Sequence, residues 1–123
     1  MTLDDILEEI KKAETIVILS HESPDGDAVS SSLSVMHAVQ QLGKKADVVI
    51  PEYSKDFKFL PGSEKILEKG QEEPYDLAIA VDCTDLKRLA CGKEYFEPAK
   101  TTIQIDHHSV NAMFADYNYV DPV

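Results

Sequence analysis

Ile16-Val17-Ile18-Leu19-Ser20-His21-Glu22-Ser23-Pro24-Asp25-Gly26-Asp27 is the stretch on which the fold turns. Its first four residues are apolar and mostly β-branched, too few for a helix and without polar alternation. They read as a strand covered on both faces. Ser23-Pro24-Asp25-Gly26 then turns the chain. From Asp27 to Leu42, Val29, Leu33 and Met36 recur at helical spacing beside Ala28, Ser32, Val35 and Val39. That is a helix with a broad buried face, and Gly43 stands where such a helix ends. A buried strand, a polar turn and a helix form the first half of a βαβ unit.

The rest of the chain repeats the alternation. Thr2 to Lys12 carries Leu3, Ile6, Leu7 and Ile10 at helical spacing, with Thr2 and Asp5 placed as a capping box. Ala46–Ile50 reads as a second strand, stopped by Pro51. Pro61-Gly62-Ser63 leads into a short helix through Glu68, closed by Lys69-Gly70. Leu77–Val81 and Thr101–Ile105 are a third and a fourth buried strand. Asp85–Ala90 reads as one or two helical turns, and Tyr117–Val120 as a fifth, edge-like strand. There is no internal repeat or low-complexity linker. The expected fold class is therefore α/β: a mostly parallel sheet of four to five strands with helices on both faces, a Rossmann-like three-layer domain over residues 1–123.

Bulk properties narrow the function. With 43% apolar and 28% charged residues the chain is globular and not a disordered tail. No apolar run approaches the roughly 18–20 residues that span a bilayer. The acidic start, Met1-Thr2-Leu3-Asp4-Asp5, is not a secretory leader, so the expected setting is cytoplasmic. Cys83 and Cys91 form no CxxC pair and read as free thiols. A net charge of −11 disfavours passive binding to long duplex DNA. Carboxylates that hold divalent cations can nevertheless present a positive site to phosphate.

Three of the four confident strands run straight into metal-capable residues. The first reaches His21, Asp25 and Asp27; the third, Asp82; the fourth, Asp106-His107-His108. The second delivers Pro51-Glu52 and should lie away from that crevice. Each piece has an ordinary structural reading. Asp25-Gly26 is a common turn dipeptide, Asp27 sits where a helix N-cap is wanted, and Asp82 could cap a turn. Convergence on one carboxyl edge of a parallel sheet, where ligands bind in such folds, outweighs them. Gly26 would let the backbone bend so that both neighbouring carboxylates face one pocket. Mixed imidazole and carboxylate donors suit Mn²⁺, Zn²⁺, Fe²⁺ or Co²⁺ better than Mg²⁺. At least five donors are more than one ion needs, and a bridged pair would use them all. For this, the strands ending at Ser20, Val81 and Ile105 must lie side by side.

His21-x-x-x-Asp25-x-Asp27, an aspartate closing the third strand, and Asp106-His107-His108 together resemble the first three motifs of the DHH phosphoesterases. Phe59-Leu60-Pro61-Gly62 fits the same pattern, and the resemblance covers nearly the whole chain. It is nearest to the branch of small oligoribonucleases and 3′-phosphoadenosine-phosphate phosphatases. It implies two divalent ions, Mn²⁺ in the first place: His21 and Asp25 on one, Asp27 and His107 on the other, Asp82 bridging. It further implies that His108 contacts substrate phosphate, that Asp106 orients the histidines, and that a hydroxide between the ions attacks phosphorus. Arg88, Ser30 and Ser31 are secondary candidates for phosphate contact. The expected partner is a small nucleotide or short oligonucleotide, with no membrane and with a homodimer allowed.

The family's fourth motif, a further aspartate, and its C-terminal substrate-gripping domain are not visible before Val123. Asp121 reads as a loop residue, so the chain is expected to be the metal-binding half of something longer, weak or inactive alone. Two rival readings stay open: an inorganic pyrophosphatase of the same family, and a catalytically incomplete metal- or nucleotide-binding module. A metal-free nucleotide-binding sheet would want a glycine-rich first turn, and Ser20–Asp27 holds only Gly26.

Overall fold

The computed structural model describes residues 2–108 and 111–120; Asp121 lies outside them. The described residues form a five-stranded sheet of β1 (Ile16–Ser20), β2 (Asp47–Val48), β3 (Leu77–Val81), β4 (Thr101–Asp106) and β5 (Tyr117–Val120). Its order is β2-β1-β3-β4-β5, and every neighbouring pair is parallel. The strands ending at Ser20, Val81 and Ile105 are therefore adjacent, and β2 sits outside them. The chain leaves β1 toward one edge of the sheet and returns on its other side as β3. The carboxyl ends of β1 and β3 thus make a switch point, the usual seat of a ligand in open α/β sheets.

Alternation along the strands builds two cores. Ile16, Ile18, Leu77, Ile79, Val81 and Ile103 face α1 (Leu3–Lys12) and α2 (Gly26–Gln41), meeting Ile6, Ile10, Val29, Leu33, Met36 and Val39. Val17, Leu19, Ala78 and Ala80 face the other way, onto Leu89, Phe96 and Tyr75. That second layer consists of a 3-10 segment (Leu86–Gly92) and a single turn of helix, α3 (Lys93–Phe96). The small Ala78 and Ala80 let it approach closely. Both faces are covered, so β1 and β3 carry no polar alternation.

Helix ends follow local chemistry. Thr2 and Asp5 form the reciprocal capping box. At the end of α2, Gly43 (φ 80°) donates to the Gln40 carbonyl and Lys44 to that of Val39, the paired bonds of a Schellman stop. At its start the expectation was two residues too late. Asp25, not Asp27, is the N-cap, its Oδ1 accepting from the Ala28 N–H at 2.9 Å. Gly26 is already inside the helix, and a side chain there would come within 3.2 Å of the Phe57 ring. The left-handed residue that bends this turn is Ser23 (φ 50°).

Two further expectations change. The helix expected up to Glu68 is one 3-10 turn, Ser63–Lys65. Leu67 instead extends alongside β2, donating to the Val48 carbonyl at 2.8 Å and accepting from the Ile50 N–H at 2.9 Å. Pairing with an open sheet edge satisfies more backbone groups than an isolated, costly helical nucleus. The same bridge extends β2, whose regular part is only Asp47–Val48.

Asp76 ties three strand starts together at the opposite edge. Its Oδ2 accepts from the backbone N–H of Glu14 (2.9 Å) and of Thr15 (3.4 Å), and Lys100 Nζ sits 3.3 Å from Oδ1. The Glu14 hydrogen bond, then the Lys100 contact, hold its carboxyl below the ordinary range. A depressed folded-state pKa stabilises fully above the unfolded value and is lost as pH falls through the folded one. We therefore expect Asp76→Asn to lower the melting temperature at neutral pH and to flatten its decline below about pH 4, the ordinary aspartate range. Parallel acid denaturation profiles for the two proteins would contradict this.

Candidate metal centre

Register sets the site before any side chain is considered. Ser20 pairs with Val81, and Val81 with Ile105. The next residues, His21, Asp82 and Asp106, consequently leave three adjacent strands at one level, with strands about 4.8 Å apart. Asp82 adopts a φ of 53°, left-handed backbone that aspartate tolerates better than most residues. Its N–H donates to the Ile105 carbonyl at 3.0 Å, which holds the turn against β4.

Asp82 is 6% exposed and lies at the centre. Its Oδ2 is 3.6 Å from His21 Nε2, and its Oδ1 is 3.0 Å from His107 Nε2 and 3.8 Å from His108 Nδ1. His21 Nε2 is also 4.0 Å from Asp25 Oδ1, and His107 Nε2 is 3.1 Å from Asp27 Oδ2. Two sets of donor atoms converge tightly enough to share an ion: His21, Asp25 and Asp82, and Asp82, Asp106, His107 and His108. Asp82 belongs to both. Asp27 joins the second side through His107.

Burial, then the charge of Asp27, pushes the Asp82 carboxyl above its usual range. The hydrogen bond to Asp82 raises His107. Burial alone would raise Asp106 as well, but hydrogen bonds from His108, Asn111 and the His107 N–H outweigh it and lower the carboxyl. The basic side chains within 4 Å of these carboxylates, among the described residues, are imidazoles. Crowded carboxylates compensated only by imidazoles fit a divalent cation well. His21 Nδ1 meets the Glu22 carbonyl at 2.7 Å, which orients Nε2 toward Asp25 and Asp82.

The secondary candidates make other contacts. Ser31 Oγ is 3.5 Å from Asp27 Oδ1, while Ser30 Oγ donates to the Asp27 carbonyl at 3.3 Å. Both address Asp27, one of them its carboxylate. Arg88 is exposed on the 3-10 segment, where its carbonyl takes the Glu22 N–H at 2.7 Å and pins the His21 turn. His37 joins α2 to the Pro61 carbonyl at 3.0 Å. Cys83 and Cys91 are free thiols, and burial pushes Cys83 up to about 12. A cleft of about 610 Å³ opens beside His21, between β1 and the loop after β2, with Glu52 and Tyr53 on its far wall.

Sequence reasoning missed Asn111, whose Nδ2 donates to Asp106 Oδ2 at 2.7 Å. It also passed over Gln104 as an ordinary strand residue, although it is fully buried. The available signal was an amide in a strand covered on both faces, where a buried polar group requires partners.

Fold and cluster together define an α/β domain with a carboxylate–imidazole centre of metal-binding type at the carboxyl edge of its sheet. Residues 15–123 match the DHH family, N-terminal domain. The chain is 32% identical over 120 residues to the bifunctional oligoribonuclease and PAP phosphatase NrnA of Thermus thermophilus, covering 95% of this chain and 35% of that protein. It is 27% identical over 117 residues to a probable protein of the same name in Streptococcus mutans, covering 94% and 36%. The crystal structure of an exopolyphosphatase-related protein from Bacteroides fragilis superposes with a TM-score of 0.85 at 30% identity, over 96% of this chain and 38% of that one. The chain belongs to the DHH family. It spans about a third of the length of these curated relatives, 35% and 36%.

Because both donor sets need Asp82, its loss should be felt on both sides. Calorimetry with Mn²⁺ should show binding heat in the wild type and none in Asp82→Asn. Equal heats from the two proteins would take Asp82 out of the centre.

Proposed function

We propose that this protein is a metal-dependent phosphoesterase that releases mononucleotides from short oligonucleotides, phosphate from 3′-phosphoadenosine phosphate, or both. The observation that carries the reading is the buried Asp82 carboxylate, shared by two donor sets at a strand-end crevice. Relatives bearing both activities in their names support the substrate class. His21 and Asp25 would hold one ion, Asp27 and His107 a second, with Asp82 between them. Mn²⁺ suits these mixed donors. When bound, such ions supply positive charge to the phosphoryl oxygens and make water a competent nucleophile near neutral pH.

The side chains have separate tasks. Asp106, buried and kept ionised, accepts from His108 Nδ1 at 2.6 Å and fixes the ring. Nε2 of His108 is then the atom that would face a phosphoryl oxygen, and when the ring is protonated it is a donor able to stabilise charge developing in the transition state. The His107 and His108 rings lie 4.7 Å apart, close enough for one to serve as metal ligand and the other as substrate contact at a single centre. Among the described residues no helix is long and apolar enough to cross a membrane. We place the reaction in the cytoplasm, where small nucleotides are met.

The test uses the natural full-length protein in Mn²⁺, following mononucleotide from a short RNA and phosphate from 3′-phosphoadenosine phosphate. His108→Ala should retain its ions and lose about 10²–10³ in kcat, the range for one lost transition-state donor. Turnover of inorganic pyrophosphate alone would replace the phosphoester reading with the anhydride one. Undiminished kcat in His108→Ala would overturn the role given to that ring.

A further inference from the structure

Two amide side chains stand behind the histidine pair and take no part in the chemistry above. Gln104 lies in β4 between Ile103 and Ile105 and is 0% exposed. Its Nε2 donates to the Cys83 carbonyl at 2.9 Å and to Asn111 Oδ1 at 2.8 Å. Asn111 Oδ1 also accepts from the backbone N–H of Met113 at 2.7 Å. A backbone N–H can only donate, so this contact settles which end of the Asn111 amide is oxygen. Nδ2 is therefore the donor that reaches Asp106 Oδ2 at 2.7 Å. The other oxygen of Asp106 receives His108 Nδ1.

Every polarity in this chain of contacts is thus determined, from the Met113 N–H to the imidazole. Gln104 adds a cross-brace. The carbonyl it holds belongs to Cys83, the residue directly after Asp82 with its left-handed backbone. One buried amide therefore ties the turn that carries Asp82 to the segment that carries His108. Gln104 Oε1 finds no partner among the described residues, so the amide is kept at some cost to stability.

We propose that Asn111, braced by Gln104, is a positioning residue that locks the Asp106 carboxylate, so that His108 gives its Nδ1–H to Asp106 and aims Nε2 at the substrate, to which it donates once the ring carries its second proton. The role rests on the reading of His108 given above. With the Nδ2 donor gone, Asp106 Oδ2 loses its amide partner. The carboxylate can then rotate, and the ring that follows it loses both its tautomer and its angle. A partner that acts through an oriented imidazole typically accounts for about 10–100-fold in activity.

Asn111→Asp is the sharpest variant: it preserves shape and the acceptor for Met113, and replaces the donor toward Asp106 with an acceptor. In the natural full-length protein with Mn²⁺ and a short RNA, kcat should fall about 10–100-fold. KM should change little, since only an interaction of the transition state is lost. In a His108→Ala background the same substitution should cost less than about twofold, because the pair acts as a unit. Equal losses in the two backgrounds would show a merely structural role and overturn the proposal. The second readout needs no turnover: long-range ¹⁵N–¹H spectra of the metal-free protein at about pH 8, where histidine is ordinarily neutral. Wild type should show His108 protonated on Nδ1, and Asn111→Asp a mixture or the Nε2 form. Retention of the pure Nδ1 form in the variant would overturn the proposal even if none of the substrates above is hydrolysed, an outcome that would sink the function reading separately. Should Asn111→Asp fail to fold, Asn111→Ala removes the donor without adding charge and is read the same way.

Discussion

A carboxylate at 6% exposure, clustered with three other aspartates and three imidazoles, is an expensive thing for a small domain to keep. Removing a charge from water without a partner costs several kcal/mol, and like charges nearby add to that. Asp82 has the imidazoles of His21 and His107 as neighbours, one on each of its oxygens. Proton and cation are interchangeable answers to the same electrostatic problem. The raised carboxyl of Asp82 and the raised imidazole of His107 are the protonic answer. A divalent cation would be the other, and the donor atoms already stand in two converging sets. The remaining architecture serves to hold that one carboxylate in place.

Backbone register does most of this holding. Three parallel strands end level, so three consecutive steps across the sheet deliver His21, Asp82 and Asp106. The N-cap geometry of α2 then brings Asp25 within 4.0 Å of His21, and the first turn of the same helix presents Asp27 to His107. Asp25 serves two purposes, capping the helix through Oδ1 and offering carboxylate oxygens to the cluster. An Asn there would keep the cap and remove the charge, which separates the two roles chemically. Behind the front row, the buried Asp106 and Gln104 and the half-buried Asn111 form a polar network, each member oriented by the next.

Much of this was legible in the sequence because it depends on local signals. The apolar run Ile16–Leu19 broke at His21 and the run Leu77–Val81 at Asp82, and each break marked a strand end at the site. What the sequence concealed depends on distant partners. Leu67 had helical neighbours, yet the open edge of β2 claimed its backbone. Asp25 and Asp27 were equally good caps by type, and the left-handed Ser23 decided between them by setting where the helix begins. Asn111 lies beyond the histidine pair in a loop with no periodicity, and its meaning appears only when Gln104, seven residues back on β4, is seen to face it. Local strength predicts elements well; buried polar networks are tertiary facts.

The central claim is that Asp82 is held in common by two cation sites. Anomalous diffraction from crystals of the protein grown with Mn²⁺ addresses it most directly. The account predicts two anomalous peaks about 3.5–4 Å apart, one beside His21 and Asp25 and one beside Asp27 and His107, with an Asp82 oxygen on each. Manganese bound at these histidines with the Asp82 carboxylate turned away from every ion would contradict it.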